Sequence, residues 1–502
     1  MVVYVILDAI AGLMGVPGPA LVMLLAIFMG YPAALVYRNR ICYEAKDTQH
    51  AFFALTGFSI VFFICGWQVV HSLLSVVLAY AICKYCPGTI HSIYVAYVGF
   101  LGYLLVGYWM CQSDEYDITW TTPHCILVLR LIGLVMDVYD GHRDKLSDSP
   151  CACLWRQPTS AHKRTLCSLG MQPDELRPDQ KETAIPSEQL PGFVEIVAYS
   201  YFPSACLIGP QFPLVRLRKL VNGELLIDPK TGKPYENSIF ALKNRLLPGV
   251  VYLLVHVVLS AIWTDEYMYS DEYFEQSFLT RWFTAFMWFR GILARYMAAW
   301  LITAGANVLC GISNEGVDER TGEVRWDGVL DFHWYTFEFG CRYQDMVACF
   351  NTNTNKWAKN YVFIRLRFLG NKHLSHLTTL GFLAVWHGYH LGYFVIFFYE
   401  YACIIAERQL LWCLSAVPSA QHFFMHNPNG RILGWLLAKV ITQLSMAYGF
   451  LTFGLVKKER WFYAVQGLWF TGWWFYFIVW PLLFHFVLSR QLKPPKVEQK
   501  QG

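Results

Sequence analysis

His387 stands ten residues inside an apolar run that extends from Leu377 to Ala406. At a rise of about 1.5 Å per residue, a helix entering hydrocarbon near Leu377 would carry it roughly 15 Å inward, close to the middle of a ~30 Å core. An imidazole at that depth is selected against by desolvation unless it has a partner or lines a wet cavity, so it marks a site of chemistry or a satisfied packing group. His390 follows three residues later and would share its general face, as a hydrogen-bonded neighbour rather than a second reactive group. Gly388 and Gly392, four apart, suit close packing against another helix.

A second polar interruption precedes it. Asn351, Asn353 and Asn355 alternate with threonine directly after the apolar stretch Met346–Phe350. Such residues commonly cap helices or bond local backbone, a reading that fits Asn353 and Asn355. Asn351 sits where the apolar stretch ends and is placed to aim an amide at a ligand. Between the two interruptions lie Lys356, Lys359, Arg365, Arg367 and Lys372, with no acid among them. Guanidinium and ammonium groups in that density can receive phosphates by charge-assisted hydrogen bonds, or can simply mark a cytosolic loop. Trp357, Trp386, Tyr389 and Tyr393 line an apolar tunnel or belong to the core, and the core is the commoner fate of aromatics at helical spacing.

The elements that must position these groups are membrane helices. Of 502 residues, 55% are hydrophobic, 17% aromatic and only 15% charged, which excludes an ordinary soluble protein. A formal net charge of +4 with no compact basic array excludes nucleic acid as a partner. Fifteen cysteines are scattered, mostly through apolar segments, as small hydrophobes. Cys83 and Cys86 lack a second pair to complete a zinc site, so no metal is expected.

The first fifteen residues are apolar without a basic start, which argues against a cleaved signal peptide. Further candidate spans are 17–37, 51–80, 91–110, 124–138, 194–210, 246–263, 282–310, 377–406, 431–456 and 467–488. That gives roughly eleven segments in an all-α polytopic protein, the 51–80 and 282–310 segments long enough to tilt or break. The expected organisation is one integrated membrane domain over 1–490, a polar exposed loop within it at 141–186, and a cytosolic tail at 491–502. No internal repeat of the transporter kind is present. Seven Lys/Arg in 216–245 and five in 356–372 place those loops on the cytosolic side, whereas 114–117 and 264–280 hold acids and no Lys/Arg and suit the lumen.

In order, Asn351-Thr-Asn-Thr-Asn-Lys-Trp357, Arg367-Phe-Leu-Gly-Asn-Lys372 and Trp386-His-Gly-Tyr-His-Leu-Gly-Tyr393 resemble the membrane-bound O-acyltransferase family. Tyr116–Trp120, Pro123–Cys125, Leu131–Leu134, Gly209–Phe212 and Lys219–Leu225 resemble its lysophospholipid branch in particular, so that the likeness covers nearly the whole chain. The resemblance implies a helical bundle around a buried reaction chamber, with Asn351 and His387 as the reacting pair. It implies acyl-CoA and a lysophospholipid as substrates, no cofactor, and the endoplasmic reticulum membrane as location. The oligomeric state, homo-oligomer included, stays open.

On that basis, a histidine kept neutral by apolar surroundings can take the proton of an attacking alcohol. Asn351 either donates to the thioester oxygen or positions the acceptor. Lys356, Trp357, Arg365, Arg367, Lys372, Trp386 and His390 are the expected acyl-CoA mouth and tunnel. A Gly-x-Ser-x-Gly elbow is absent, and none of the fifteen histidines has aspartate five residues on. A relative acting on a sterol, diacylglycerol or protein, and a non-enzymatic transporter, are the competing readings.

Overall fold

The computed structural model describes residues 2–14, 17–111, 118–147 and 176–492. Most of the described residues are helical. Among the described residues there is no strand, only isolated bridges pairing Ile227 with Pro234, Val317 with Val324 and Phe332 with Phe350. In a bilayer every backbone group must be satisfied inside its own segment, which leaves helices as the element these apolar runs can form.

Eight helical segments among the described residues are long and apolar enough to cross a membrane: Gly18–Asn39, Lys46–Tyr85, Ile90–Met110, Thr121–His142, Ser238–Ile262, Phe278–Cys310, Pro428–Gly454 and Thr471–Gln491. Each matches one expected span. Lys46–Tyr85 is broken at Gly66, whereas Phe278–Cys310 runs unbroken for 33 residues.

The other three expected spans take different forms. The N-terminal one is a 13-residue helix, Val2–Met14, about 20 Å long. In 194–210 the helix stops after the eight residues Phe193–Ser200, about 12 Å, too short to cross. The rest is nearly all buried irregular chain, because Pro203 and Pro210 lack an N–H to extend a helix. The 377–406 run is split into Lys372–His387 and Leu391–Ala416.

The chain forms two compact units, each discontinuous in sequence. The first comprises 1–250, 298–331 and 352–375; the second comprises 251–297, 332–351 and 376–502. At the centre of the first is Thr121–Ser147, whose apolar window is 89% buried against 11% for Ser238–Ile262. Such a helix can afford polar groups only when each is bonded, and Arg130 illustrates how. Its guanidinium is 1% exposed. It donates to the carbonyls of Tyr199 (3.0 Å), Ser200 (3.3 Å), Ala205 (3.0 Å) and Pro210 (2.9 Å), and lies 4.9 Å over the Phe212 ring. Gln211 Nε2 donates to the Ile126 carbonyl at 2.8 Å. Gly209–Phe212 thus contributes one carbonyl and one ring to the arginine's surroundings, and the arginine supplies donors to carbonyls of the 199–210 chain.

The expected exposed loop at 141–186 begins and ends as ordered structure. Helix Thr121–Ser147 runs through its first seven residues, and helix Pro178–Thr183 closes it. Leu176 and Ile185 are buried, and the Ile185 N–H donates to the Asp137 carbonyl at 2.9 Å. An apolar residue at each end of the returning chain explains why it packs. Residues 148–175, with Cys151, Cys153 and Cys167, lie outside the described residues, as do 112–117 and the tail from 493.

In the second unit, half-buried charge is again tied down. Glu338 accepts from Tyr252 Oη at 2.6 Å and from Arg290 at 2.7 Å, and Lys439 Nζ donates to the Phe337 carbonyl at 2.6 Å. Glu407 accepts the N–H groups of Tyr343 and Gln344, so a carboxylate from helix Leu391–Ala416 caps the start of helix Tyr343–Ala348. These bonds fix the chain that leads into Asn351.

Candidate functional site

His387 is the last residue of helix Lys372–His387. Gly388 follows with φ +135°, a conformation in which a side chain would clash, while its N–H still bonds the Ala384 and Val385 carbonyls at 3.2 and 3.1 Å. The chain restarts at Leu391 with extended His390 before it. The continuous helix expected from hydrophobicity is thus broken directly after the histidine, since a glycine can turn the chain where an apolar pattern shows no boundary. Two expectations fall with it. His387 and His390 do not share a helical face, and Gly388 is a turn rather than a packing notch. Gly392 does pack closely: a Cβ there would run into the Thr452 carbonyl.

Around the half-buried His387 ring lie four aromatic rings. Trp386 is at 4.5 Å and 62°, Phe453 at 5.1 Å and 83°, Tyr393 and Phe397 each at 5.7 Å. All five residues belong to the second unit. Trp386 itself is buried, and Tyr393 also packs on Phe453 at 5.2 Å. Edge-to-face contacts orient a ring without using its nitrogens. Among the described residues no carboxylate or carbonyl is hydrogen-bonded to the imidazole, so both nitrogens are available to a bound molecule. His390 is half-buried and stacks on Tyr389 at 4.9 Å.

Asn351 also belongs to the second unit. Its φ of +50° is in the left-handed region, which costs an ordinary L-residue roughly 1–2 kcal/mol and asparagine less. The turn joins helix Tyr343–Ala348 to helix Thr352–Ala358. Asn353 departs from the local capping role expected of it. It is buried, and its Nδ2 donates 2.8 Å to Oδ1 of Asp331, 22 residues away, which also accepts the Asn353 N–H at 3.1 Å. The Asp331 carbonyl accepts the Thr352 N–H at 3.0 Å. Burial pushes the Asp331 carboxyl up to about 6, with the Asn353 bonds opposing that rise.

The expected cationic mouth divides in two, and all of its members lie in the first unit. Arg365 is committed to a buried carboxylate: Nη1 and Nη2 meet Asp140 at 2.8 and 2.6 Å, and Nε donates to the Asn360 carbonyl at 3.1 Å. Asp140 is 0% exposed, so this fork ties the guanidinium to a buried carboxylate. Lys356, Lys359, Arg367 and Lys372 are exposed, and among the described residues none forms an ion pair. Asn371 Oδ1 accepts the His373 and Leu374 N–H groups at 2.9 and 3.1 Å, capping the helix that ends in His387. Trp357 is buried with its ring 5.3 Å from Tyr361, against Gly133, where a Cβ would approach the indole nitrogen to 3.0 Å. It reads here as core. Tyr361 in turn donates to Asp137 at 2.8 Å.

Sequence reasoning missed Asp331, Arg130 and Asp140. The first had a faint signal, a single acid inside Val329-Leu330-Asp331-Phe332. The other two are ionisable groups in a long apolar helix, the same signal that singled out His387.

The sequence profile of the membrane-bound O-acyltransferase family matches residues 105–451. The chain is 41% identical over 473 residues to lysophospholipid acyltransferase 5 of Caenorhabditis elegans, spanning 94% of this chain and 93% of the relative. It is 34% identical over 504 residues to lysophospholipid acyltransferase 5 of Homo sapiens, spanning 98% and 94%. To that of Drosophila melanogaster it is 33% identical over 484 residues, spanning 96% and 90%.

Proposed function

This chain belongs to the membrane-bound O-acyltransferase family, and from that premise we propose that it transfers the acyl group of acyl-CoA to the free glycerol hydroxyl of lysophospholipids. Lysophosphatidylcholine is the leading acceptor, with lysophosphatidylethanolamine and lysophosphatidylserine beside it, in phospholipid remodelling. The observation that carries the reading is the near-full-length likeness to relatives named lysophospholipid acyltransferase 5, together with a histidine whose ring nitrogens are unspent.

His387 accepts the hydroxyl proton as the alkoxide oxygen attacks the thioester carbon. Negative charge develops on the thioester oxygen, where an amide N–H of Asn351 can stabilise it or, alternatively, hold the acceptor. Collapse of the tetrahedral centre breaks the C–S bond, and the departing thiolate recovers the proton from the imidazolium. The products are a diacyl phospholipid and CoA. No covalent acyl-enzyme and no resident cofactor enter the scheme.

Lys356, Arg367 and Lys372, exposed and unpaired by acids among the described residues, are the candidates for receiving CoA phosphates. The proposed setting is the endoplasmic reticulum membrane, with the basic loops and the C-terminus cytosolic, supported by the lysine and arginine content of 216–245 and 356–372. The deciding experiment incubates the purified protein with radiolabelled acyl-CoA and a panel of lysophospholipids, a sterol and diacylglycerol. Label appearing in diacyl phospholipid is expected. Label confined to the sterol ester or triacylglycerol would overturn the reading, as would no transfer to any acceptor.

A further inference from the structure

We propose that Asp331 is the positioning residue for Asn351, an inference that rests on the role given to Asn351 above. An asparagine in the left-handed region persists only where its surroundings fix the chain on both sides. On the upstream side, Phe350 pairs with Phe332 in an isolated bridge, and the His333 N–H donates to the Cys349 carbonyl at 3.0 Å. On the downstream side, the Asp331 carbonyl takes the Thr352 N–H at 3.0 Å, and one carboxylate oxygen takes both the main-chain and the side-chain N–H of Asn353 at 3.1 and 2.8 Å. Residues 331–333 thus grip the chain immediately before and immediately after Asn351, with the Thr352 hydroxyl donating to the Asp331 carbonyl at 3.3 Å and the Asp331 carboxylate holding Asn353.

Two of the groups that it and its carbonyl accept, the Thr352 and Asn353 main-chain N–H, lie at the start of helix Thr352–Ala358, where main-chain donors have no intrahelical partner. An ordinary cap would come from the residue just before the helix. Here that residue is Asn351, whose amide is thereby released for substrate while Asp331 caps from 22 positions away in its place. The asparagine run accordingly divides its labour: Asn353 is the handle by which the segment is held, and Asn351 is the group presented. What Asp331 must supply is an acceptor oxygen at Oδ1, which an asparagine side chain also has.

The test uses the full-length purified protein with acyl-CoA and lysophosphatidylcholine, reading kcat, KM for acyl-CoA and the thermal midpoint. Asp331→Asn should keep at least half of the parent kcat. Asp331→Ala should lower kcat by roughly 10- to 100-fold, the scale of a misplaced reacting group, with KM for acyl-CoA within about twofold. On an Asn351→Ala background, Asp331→Ala should cost less than about twofold more, because there is no longer an amide to aim. A full-rate Asp331→Ala, an Asp331→Asn as impaired as the alanine variant, or an equal loss on both backgrounds would each overturn the proposal. If Asp331→Ala does not fold, Asn353→Ala removes one of the two carboxylate bonds and should lower kcat severalfold at constant KM; unchanged kcat would overturn it. An active Asn351→Ala would instead overturn the role of Asn351 itself, whereas an inactive Asn351→Ala beside an active Asp331→Ala would remove only Asp331.

Discussion

Replacing Arg365 by alanine separates a structural cation from a ligand-binding one. The substitution deletes two charge-assisted bonds to Asp140, at 2.8 and 2.6 Å, and a third to the Asn360 carbonyl at 3.1 Å. It also leaves Asp140, which is 0% exposed, as a buried charge without its counter-ion. Breaking one side of such a pair costs about 3–5 kcal/mol. Arg365→Ala should therefore sharply lower the thermal midpoint in detergent and the yield of folded protein, with the folded remainder keeping a near-parental KM for acyl-CoA. Asp140→Asn combined with Arg365→Gln removes both charges and should recover most of that loss, since a neutral pair has little to desolvate. Joint neutralisation of Lys356, Arg367 and Lys372 should behave oppositely. These are exposed, so stability should change by less than about 0.5 kcal/mol each, while KM for acyl-CoA rises roughly tenfold if each contributes a modest phosphate contact. Added salt should raise KM in the parent and matter less in that triple variant, because screening acts on the same exposed charges. An Arg365→Ala protein of unchanged midpoint and raised acyl-CoA KM would refute the assignment of this guanidinium to Asp140.

His387→Ala should lower kcat by about 10²- to 10⁴-fold with acyl-CoA still bound; near-normal turnover in folded protein would end its role as base. The Asp331 carboxyl, at about 6 against an unfolded value near 3.9, holds its proton more tightly folded than unfolded. Its contribution to stability is fully present below pH 4 and is lost as pH rises through 6, by up to about 3 kcal/mol. Asp331→Asn should thus be more stable than the parent at pH 7 and equal to it near pH 4, and equal midpoints at both would show that the group is not so burdened. For orientation, cysteines placed near Lys230 and Lys496 should react with an impermeant reagent from one face, and one near Asp271 from the other; labelling of the first two from opposite faces would break the scheme.

The membrane helices were legible because a run of twenty apolar residues has one stable form in hydrocarbon. Phe278–Cys310 and Pro428–Gly454 follow from length and hydropathy alone. What composition conceals is where such a run stops. Residues 194–210 are as apolar as a span, yet Arg130 gathers four of the carbonyls around them into a buried knot. The 377–406 run breaks at Gly388. In the first of these the backbone is satisfied by an arginine 69–80 positions away, and in the second a single glycine turns the chain at positive φ; hydropathy records neither.

At the candidate site the same physics separates what could be read from what could not. A lone imidazole in apolar sequence advertises its own cost, and the structure surrounds it with rings rather than with acids. The lysines and arginines looked alike as a cluster, because charge is visible in sequence and its partner is not; Asp140 lies 225 residues from Arg365. Asn351 and Asn353 looked alike for a similar reason. They differ through Asp331, which bonds Asn353, while Asn351 forms the left-handed turn before it. On the role proposed for Asn351, a left-handed turn fixed on both sides by Asp331 and its neighbours would hold that side chain toward substrate.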